Sequence, residues 1–278
     1  MSSVTNEHRG PGSPGAVPGG PVAVAADRLW TAHASGKTCA PVRDLIGATD
    51  VAAAYAVQDY NTRRWIDAGR RLAGRKIGLT AKTVQRQLGV AEPDYGMLFA
   101  DMAADGDDIP MAGLLQPRVE GEVAFCLKRD LTDPQLTLVD IIGAIDYALA
   151  AIEIVDSRIE GWDIKIADTI ADNASSARYV LGHEPHSIRE VDLELCGMVM
   201  ERHGEQVSFG AGAACLGHPL NATLWLARKM AAAGRPLSAG DLVMSGALGP
   251  MVAARSGDVF DLKINGLGSV RAAFAKGA

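Results

Sequence analysis

The chain has 278 residues, 48% of them apolar and only 5% aromatic, and its formal net charge is −6. This length suffices for one large domain, or for one domain with a small appendage. The acidic balance excludes a nucleic-acid-binding protein that relies on a basic face. Because no apolar run approaches the ~20 residues of a spanning helix and the N-terminus lacks the pattern of a signal peptide, we expect a cytoplasmic protein with no membrane partner.

The N-terminal part divides into a tail and a helical region. Pro and Gly dominate the run GPGSPGAVPGGP, which has too few apolar residues for a core. A short helix is predicted over residues 24–35, and Asp50 is predicted to cap a second helix that begins at Val51. We therefore expect a disordered tail (1–21), a helical N-terminal region (22–74) and a catalytic domain (75–278).

The rest of the chain alternates strand-like runs with turns and a few helices. The helical runs are AKTVQRQL, closed by Gly89, and NATLWLARKMAAAG. The strand-like runs are LAGRKIGL, VEGEVAFCL, YALAAIEIV, a hairpin from LELCGMVMER to QVSF, DLVMSGAL, DVFDLKING and GSVRAAF. So many strands with so few helices between them argue against a βαβ repeat. We expect a mixed α/β, β-rich sandwich or roll behind the helical region.

Two glutamates in one predicted strand form the first candidate site. Glu120 and Glu122 stand two residues apart in RVEGEVAF, so both project from the same face of a strand. Two neighbouring carboxylates repel each other unless a cation lies between them. Hard divalent cations take such oxygen ligands. The alternative is a solvated face of an edge strand.

Glu153 favours the metal site over that alternative. It is embedded in the apolar run ALAAIEIV, where an unpaired carboxylate would be costly to bury. Three carboxylates on neighbouring strands would suit an octahedral Mg²⁺ or Mn²⁺ site with open positions. Asp156 is a weaker fourth candidate, because a salt bridge to Arg158 explains it at least as well.

Lys76 and Asp94 are the next residues of interest. Lys76 lies in the glycine-flanked strand GRKIG, where the backbone can approach a ligand closely. A lysine near a metal site can exchange protons, although most single lysines are surface residues. Asp94 follows a proline in EPDYG, where an ordinary turn is the alternative.

Taken together in order, these motifs resemble a known family. The segments are GRKIGLT, QLGVAEPDYGMLFADM, QPRVEGEVAF, AIEIVDSRI, DTIADNASS, FGAGAACLGHPLNATLWLARKM and GDLVMSGALGPM. They resemble the 2-keto-4-pentenoate (2-hydroxypenta-2,4-dienoate) hydratases of the fumarylacetoacetate hydrolase superfamily, from about Leu29 to Phe274. One small departure is Gly121, where Ala is common between the two glutamates.

The resemblance implies a fold and a set of residue roles. The fold is a mixed β-sandwich or roll with a small N-terminal part. Glu120, Glu122 and Glu153 would hold Mg²⁺ or Mn²⁺, Lys76 would act as acid and base, and Asp94 would line the pocket. The substrate cradle would include Ser175, Ser245, Gly246, Ala247 and Leu248. The polar stretch that contains Ser175 is equally open to a capping role.

The resemblance also implies a reaction. The enzyme would add water to a small 2-hydroxydienoate or 2-oxo acid to give 4-hydroxy-2-oxopentanoate, in the meta-cleavage degradation of aromatic compounds. The alternatives are a 4-oxalocrotonate-type decarboxylase or a C–C hydrolase on the same scaffold, or a silent partner subunit of such a decarboxylase. A homo-oligomer is expected, with possible association with a related decarboxylase or a downstream aldolase.

Overall fold

The computed structural model describes residues 20–88 and 90–276. Its α-helices are α1 (Pro21–Ser35), α2 (Arg43–Ile46), α3 (Val51–Asp67), α4 (Lys82–Leu88), α5 (Leu138–Ala144), α6 (Ile166–Ala171) and α7 (Pro219–Ala232). Its strands are β1 (Leu72–Gly78), β2 (Asp94–Phe99), β3 (Arg118–Leu127), β4 (Ile145–Val155), β5 (Ser176–Leu181), β6 (Gly197–Arg202), β7 (Glu205–Ala211), β8 (Leu242–Ala247), β9 (Val252–Ala253), β10 (Val259–Ile264) and β11 (Gly268–Ala273). No described helix is long and apolar enough to cross a membrane.

The strands form two sheets that share one core. The larger sheet has the order β2-β1-β8-β3-β4-β5, with the short β9 paired to β3. Its pairs are antiparallel except β1 with β8, which run parallel. The smaller sheet has the order β11-β10-β6-β7 and is antiparallel. The mixed, β-rich architecture expected from the sequence is confirmed.

The two sheets approach closely because β3 carries a glycine where they meet. A Cβ at Gly121 would lie 2.7 Å from Leu262 Cδ1 on β10 and 3.3 Å from Met198 Cε on β6. Alternation along β3 turns Val119 and Val123 to the same side as Gly121. Glu120 and Glu122 therefore project from the opposite face, away from the smaller sheet. The departure from Ala at position 121 has a packing reason.

The N-terminal helices pack on a helix from the middle of the chain. Residues of α1, α2 and α3 share an apolar cluster with Ala167, Ile170 and Ala171 of α6. Asp168 of α6 accepts hydrogen bonds from the backbone amides of Val42 and Arg43 at 2.9 Å each and pairs with the Arg43 guanidinium at 2.7 Å. These contacts fix α6, and with it the turn that follows α6, against the helical region.

Several local predictions can be compared with these elements. Asp50 caps α3 by accepting from the amide of Ala53, and the predicted hairpin is β6–β7. The prediction of a turn at Asp94 was wrong, because Asp94 is the first residue of β2. The expected tail lies outside the described residues, apart from Gly20 and Pro21, and Pro21 begins α1.

Candidate metal centre

Three glutamates meet where β3 and β4 pair. In this antiparallel ladder Glu120 lies directly opposite Glu153, and Glu122 lies two residues further along β3 on the same face. One carboxylate oxygen from each residue lies within 4.8 Å of the others. Glu122 and Glu153 are fully buried, while Glu120 is half-buried. The strands thus bring together the three residues proposed from the sequence as metal ligands.

The electrostatics of this cluster favour a bound cation. Burial raises the pKa of Glu120 to about 7, and the neighbouring Glu153 carboxylate adds to the shift. Burial likewise raises the pKa values of Glu122 and Glu153. Among the described residues, Glu122 Oε1 and both Glu153 oxygens have no hydrogen-bond partner. Buried carboxylate oxygens without partners, converging on one point, are the donor set that a hard divalent cation requires. The residues present therefore fit Mg²⁺ or Mn²⁺.

A backbone amide orients Glu122. The Gly246 amide donates to Glu122 Oε2 at 2.9 Å, from the strand β8 that flanks β3. Gly246 adopts φ 109°, and a Cβ there would lie 2.5 Å from the Thr80 side chain. Only glycine fits this conformation and this close approach. Of the predicted cradle, Gly246 thus acts through its backbone.

Lys76 lies beside the carboxylates, on β1. Its Nζ lies 3.3 Å from Glu153 Oε1 as an ion pair and donates a 3.0 Å hydrogen bond to the Ala174 carbonyl. Burial alone would lower the pKa of Lys76, but the carboxylates of Glu153 and Asp94 outweigh that effect and raise it. Lys76 is therefore a buried ammonium, 3% exposed, rather than the surface lysine of the alternative interpretation.

Asp94 faces the Lys76 ammonium from the neighbouring strand β2. It is the cross-strand partner of Gly78, and a Cβ at Gly78 would clash with Asp94 Oδ1 and lie 3.5 Å from Lys76 Nζ. Asp94 Oδ2 accepts from Thr169 Oγ1 at 3.4 Å, and Oδ1 has no described partner. Burial raises the pKa of Asp94, although Lys76 opposes the shift. A buried aspartic acid of raised pKa can hold a proton.

Two of the predicted substrate contacts are buried hydroxyls. Ser175 and Ser245 are 3% and 0% exposed, and neither Oγ has a hydrogen-bond partner among the described residues. A buried hydroxyl without a partner is costly unless a ligand or water satisfies it. Ser175 caps no helix by its side chain, so the capping alternative does not account for it.

The other two predicted substrate contacts line a cavity that opens to the surface. Ala247 and Leu248 border a cavity of about 650 Å³ that also reaches Glu120. Its outer part is apolar and exposed, with Val84, Phe209 and Met251 at 36%, 69% and 44% exposure. None of the described residues that line it is Lys, Arg or His. The cavity leads from an apolar opening to Glu120, the half-buried member of the three glutamates.

Sequence reasoning missed several contributors to the site. The Ala174 carbonyl and the Thr169 hydroxyl make contacts that no motif predicted, although both lie in the polar run DTIADNASS. Cys215, which no sequence motif singled out, donates to the Ser245 carbonyl at 2.8 Å, and burial raises its pKa to about 12. These contacts depend on tertiary packing, which local patterns do not show.

Asp156 lies outside the glutamate cluster and forms no ion pair with Arg158. Its carboxylate accepts from the backbone amides of Leu115 and Gln116 at 2.8 and 2.5 Å. Arg158 pairs instead with Asp172, with 2.6 Å between Nε and Oδ1. The salt-bridge interpretation of Asp156 was therefore wrong, because the loop before β3 provides its donors.

Comparison with known proteins gives one family. The profile of the fumarylacetoacetate (FAA) hydrolase C-terminal family matches residues 74–275. The TodF product hydratase of Pseudomonas putida F1 is 63% identical over 92% of this chain and 96% of its own. The 2-keto-4-pentenoate hydratase 1 of Dechloromonas aromatica is 58% identical over 90% of this chain and 96% of its own. The solved 4-oxalocrotonate decarboxylase of Pseudomonas putida G7, complexed with magnesium and adipate, superposes with a TM-score of 0.87 at 37% identity, over 91% of this chain and 97% of its own.

Proposed function

The chain belongs to the fumarylacetoacetate hydrolase family and is a hydratase of the 2-keto-4-pentenoate type, and we propose that it hydrates a 2-hydroxydienoate at a divalent cation held by Glu120, Glu122 and Glu153. One observation carries the proposal. Three carboxylates, two of them fully buried, converge within 4.8 Å, and Glu122 Oε1 and both Glu153 oxygens accept no hydrogen bond from the described residues. The solved decarboxylase relative contains magnesium, which agrees with this choice of ion. We propose Mg²⁺ or Mn²⁺.

The reaction adds a proton at C5 of the dienol as the enol proton leaves the C2 oxygen, and then adds the hydroxyl of water at C4 and a proton at C3, so that its product is 4-hydroxy-2-oxopentanoate. When bound, the cation would supply Lewis-acid stabilisation of negative charge on the C2 oxygen of the substrate. Lys76 Nζ is our candidate for the proton donor, because it is an ammonium held beside the carboxylates by Ala174. Asp94, which burial makes able to hold a proton, is the second candidate.

The hydroxyls and the cavity wall would orient the substrate. Ser175 Oγ and Ser245 Oγ are free to bond the polar end of the substrate. Leu248 is fully buried and, with Ala247, would form an apolar wall against the carbon chain of the substrate. The Gly246 amide keeps Glu122 aimed at the centre.

The cavity also favours a hydratase over the decarboxylase alternative. A 4-oxalocrotonate substrate carries a second carboxylate, whereas the described cavity lining contains no cationic side chain. Arg118 approaches Met251 Sδ to 3.5 Å, but its guanidinium stacks on Trp162 and does not line the cavity. We propose a monocarboxylate whose distal end is uncharged.

An assay of both substrates tests this proposal. Freshly generated 2-hydroxypenta-2,4-dienoate and 4-oxalocrotonate are supplied separately, and loss of the dienol and release of CO₂ are followed. We expect hydration of the dienol without CO₂ from the diacid. Release of CO₂ from 4-oxalocrotonate at a comparable rate would support the decarboxylase, and no turnover of either would support a silent subunit.

Assembly is a further proposal. A homo-oligomer, and association with a related decarboxylase or a downstream aldolase, are expected from the family resemblance. Light scattering of the purified chain, alone and mixed with such a partner, would show the mass of each assembly.

A further inference from the structure

A short turn between α6 and β5 has an unusual backbone. Asn173, Ala174 and Ser175 adopt φ values of 55°, 50° and 56° in succession. The left-handed region is unfavourable for residues with a Cβ, and Asn tolerates it better than Ala or Ser. Three such residues in a row persist only where surrounding contacts impose the conformation. We call residues 173–175 the left-handed turn.

The left-handed turn presents two groups to the candidate site. The Ala174 carbonyl accepts the 3.0 Å hydrogen bond from Lys76 Nζ. The Ser175 hydroxyl is buried and has no partner among the described residues, while the Ser175 carbonyl accepts from the Asp156 amide at 2.8 Å. The backbone path of the turn therefore sets where the Lys76 ammonium and the Ser175 hydroxyl lie.

The Asn173 side chain holds this turn against the edge strand β2. Its Oδ1 accepts from the Met97 amide at 2.7 Å, and its Nδ2 donates to the Met97 carbonyl at 2.9 Å. The side chain thus pairs with β2 as a further strand would, and it is 2% exposed. A single amide group provides both bonds, so its loss would release the turn from β2.

Gly96 permits this close contact. It is the cross-strand partner of Lys76, and a Cβ at Gly96 would clash with the Asn173 carbonyl oxygen and lie 2.7 Å from Ser176 Oγ. A side chain here would push the turn away from β2 and from Lys76. Gly96 and Asn173 therefore act on the same contact from opposite sides.

We propose that Asn173 is a positioning residue for the hydration reaction: by clamping the left-handed turn to Met97, it places the Ala174 carbonyl that orients Lys76 Nζ. This inference rests on the proposed function. The Asn173 side chain hydrogen-bonds to Met97 and to none of the three glutamates, so its effect on the site is exerted through Lys76 and the turn.

The kinetic test uses Asn173→Gly, which removes both side-chain bonds but still tolerates positive φ. We expect kcat to fall by roughly 10- to 100-fold, as a misplacement near 1 Å does, while Mn²⁺ affinity changes little. Phe260→Leu, a buried change in the smaller sheet, is the control for lost stability. If Asn173→Gly keeps the wild-type kcat while its Tm falls like that of the control, Asn173 is only structural and the inference is overturned.

Gly96→Ala provides a second variant should Asn173→Gly fold poorly. It should lower kcat in the same way, because it displaces the same turn. Gly197→Ala is its matched control, since a Cβ at Gly197 meets nothing within 4 Å and its backbone is ordinary. Equal kcat in Gly96→Ala and Gly197→Ala would count against the inference.

A measurement independent of turnover separates this inference from the proposed function. In [¹⁵N]lysine-labelled protein, the ¹⁵Nζ resonance of Lys76 is assigned by its loss in Lys76→Met. We expect Asn173→Gly to shift this resonance and Phe260→Leu to leave it in place. An unchanged Lys76 resonance in Asn173→Gly would overturn the inference even if the enzyme proved inactive on the dienol.

Discussion

Glu120 on β3 and Glu153 on β4 lie directly opposite each other in an antiparallel ladder, two like charges at a cross-strand pair. Such a pair destabilises a sheet unless something compensates the charges. Lys76 compensates part of the charge at 3.3 Å from Glu153, but the oxygens of Glu153 remain without hydrogen bonds from described residues. The ladder is thus suited to a cation rather than to stability of the metal-free fold.

That conflict between function and stability predicts the behaviour of Glu122→Gln. The amide keeps an acceptor for the Gly246 amide but replaces a carboxyl whose pKa is raised by burial, and that raised pKa costs folding free energy at pH values above the unfolded pKa. The metal-free variant should be more stable than the wild type by about 1 kcal/mol or more, which raises Tm by about 2–4 °C. Calorimetry after exhaustive chelation measures this difference.

The Glu122→Gln variant should also bind metal more weakly than the wild type. Mn²⁺ titration should show at least about a tenfold weaker affinity, because one anionic ligand is lost. Glu205→Gln, an exposed change on β7, is the control and should match the wild type in both measurements. A Glu122→Gln protein with unchanged affinity would remove Glu122 from the ligand set.

Lys76→Ala separates metal binding from proton transfer. An ammonium cannot ligate a cation, so the variant should still bind Mn²⁺ and a chelating inhibitor such as oxalate. Turnover should fall by roughly 10²–10⁴ if Lys76 moves a proton. Lys76→Arg should fail to restore it, since the guanidinium stays charged and has another shape.

Separate values of kcat and KM for the Lys76 variants distinguish proton transfer from substrate binding. If Lys76 only attracts the substrate carboxylate, KM should rise with kcat nearly unchanged, and Lys76→Arg should partly restore binding. A wild-type kcat in Lys76→Ala would leave Asp94 as the proton carrier. Steady-state measurements on both variants are sufficient.

Gly246→Ala tests whether the backbone of β8 orients the metal centre. A Cβ at φ 109° is strained and would press on Thr80, so we expect a loss of roughly 1–3 kcal/mol in stability. Because the Gly246 amide would move away from Glu122, Mn²⁺ affinity should fall as well. Gly197→Ala is again the control, and a Gly246→Ala protein with normal stability and affinity would contradict the assigned role.

The apolar cavity opening predicts which substrates are admitted. Phe209→Lys places a cation at the opening, at a side chain already 69% exposed, so the fold should tolerate it. The ratio of binding constants for a dicarboxylate over a monocarboxylate inhibitor should rise several-fold, about 1 kcal/mol. Val139→Lys is the control, because Val139 is 76% exposed on α5 and does not line the cavity. Equal ratios in the two variants would argue against selection at the opening.

The sequence allowed prediction of those features that depend on local pattern. Alternation in RVEGEVAF placed Glu120 and Glu122 on one face, and Asp50 was predicted correctly as a helix cap. The sequence pattern could not give the register of β3 on β4, and this register alone sets Glu153 opposite Glu120. That register follows from packing over the whole sheet. The grouping of the three glutamates was expected from a family resemblance and from the cost of burying Glu153.

Where local pattern was misleading, a tertiary contact was responsible. EPDYG resembles a turn, yet Asp94 begins β2, because Gly96 is needed for the close approach of Asn173 rather than for a bend. The left-handed turn at residues 173–175 contains no glycine, the residue from which a positive φ could have been predicted. Two hydrogen bonds from the Asn173 side chain to the backbone of Met97 hold the turn in this conformation. Met97 lies far from the turn in sequence.

If a cation held by the three glutamates supports hydration, removal of the metal must abolish activity. The purified chain is treated with EDTA, dialysed and assayed on freshly generated 2-hydroxypenta-2,4-dienoate, before and after addition of Mg²⁺ or Mn²⁺. We predict that activity is abolished by chelation and restored by either ion in the wild type, with restoration in Glu122→Gln only at higher concentrations. Full activity of the chelated protein, with no metal detectable by elemental analysis, would contradict metal-dependent hydration.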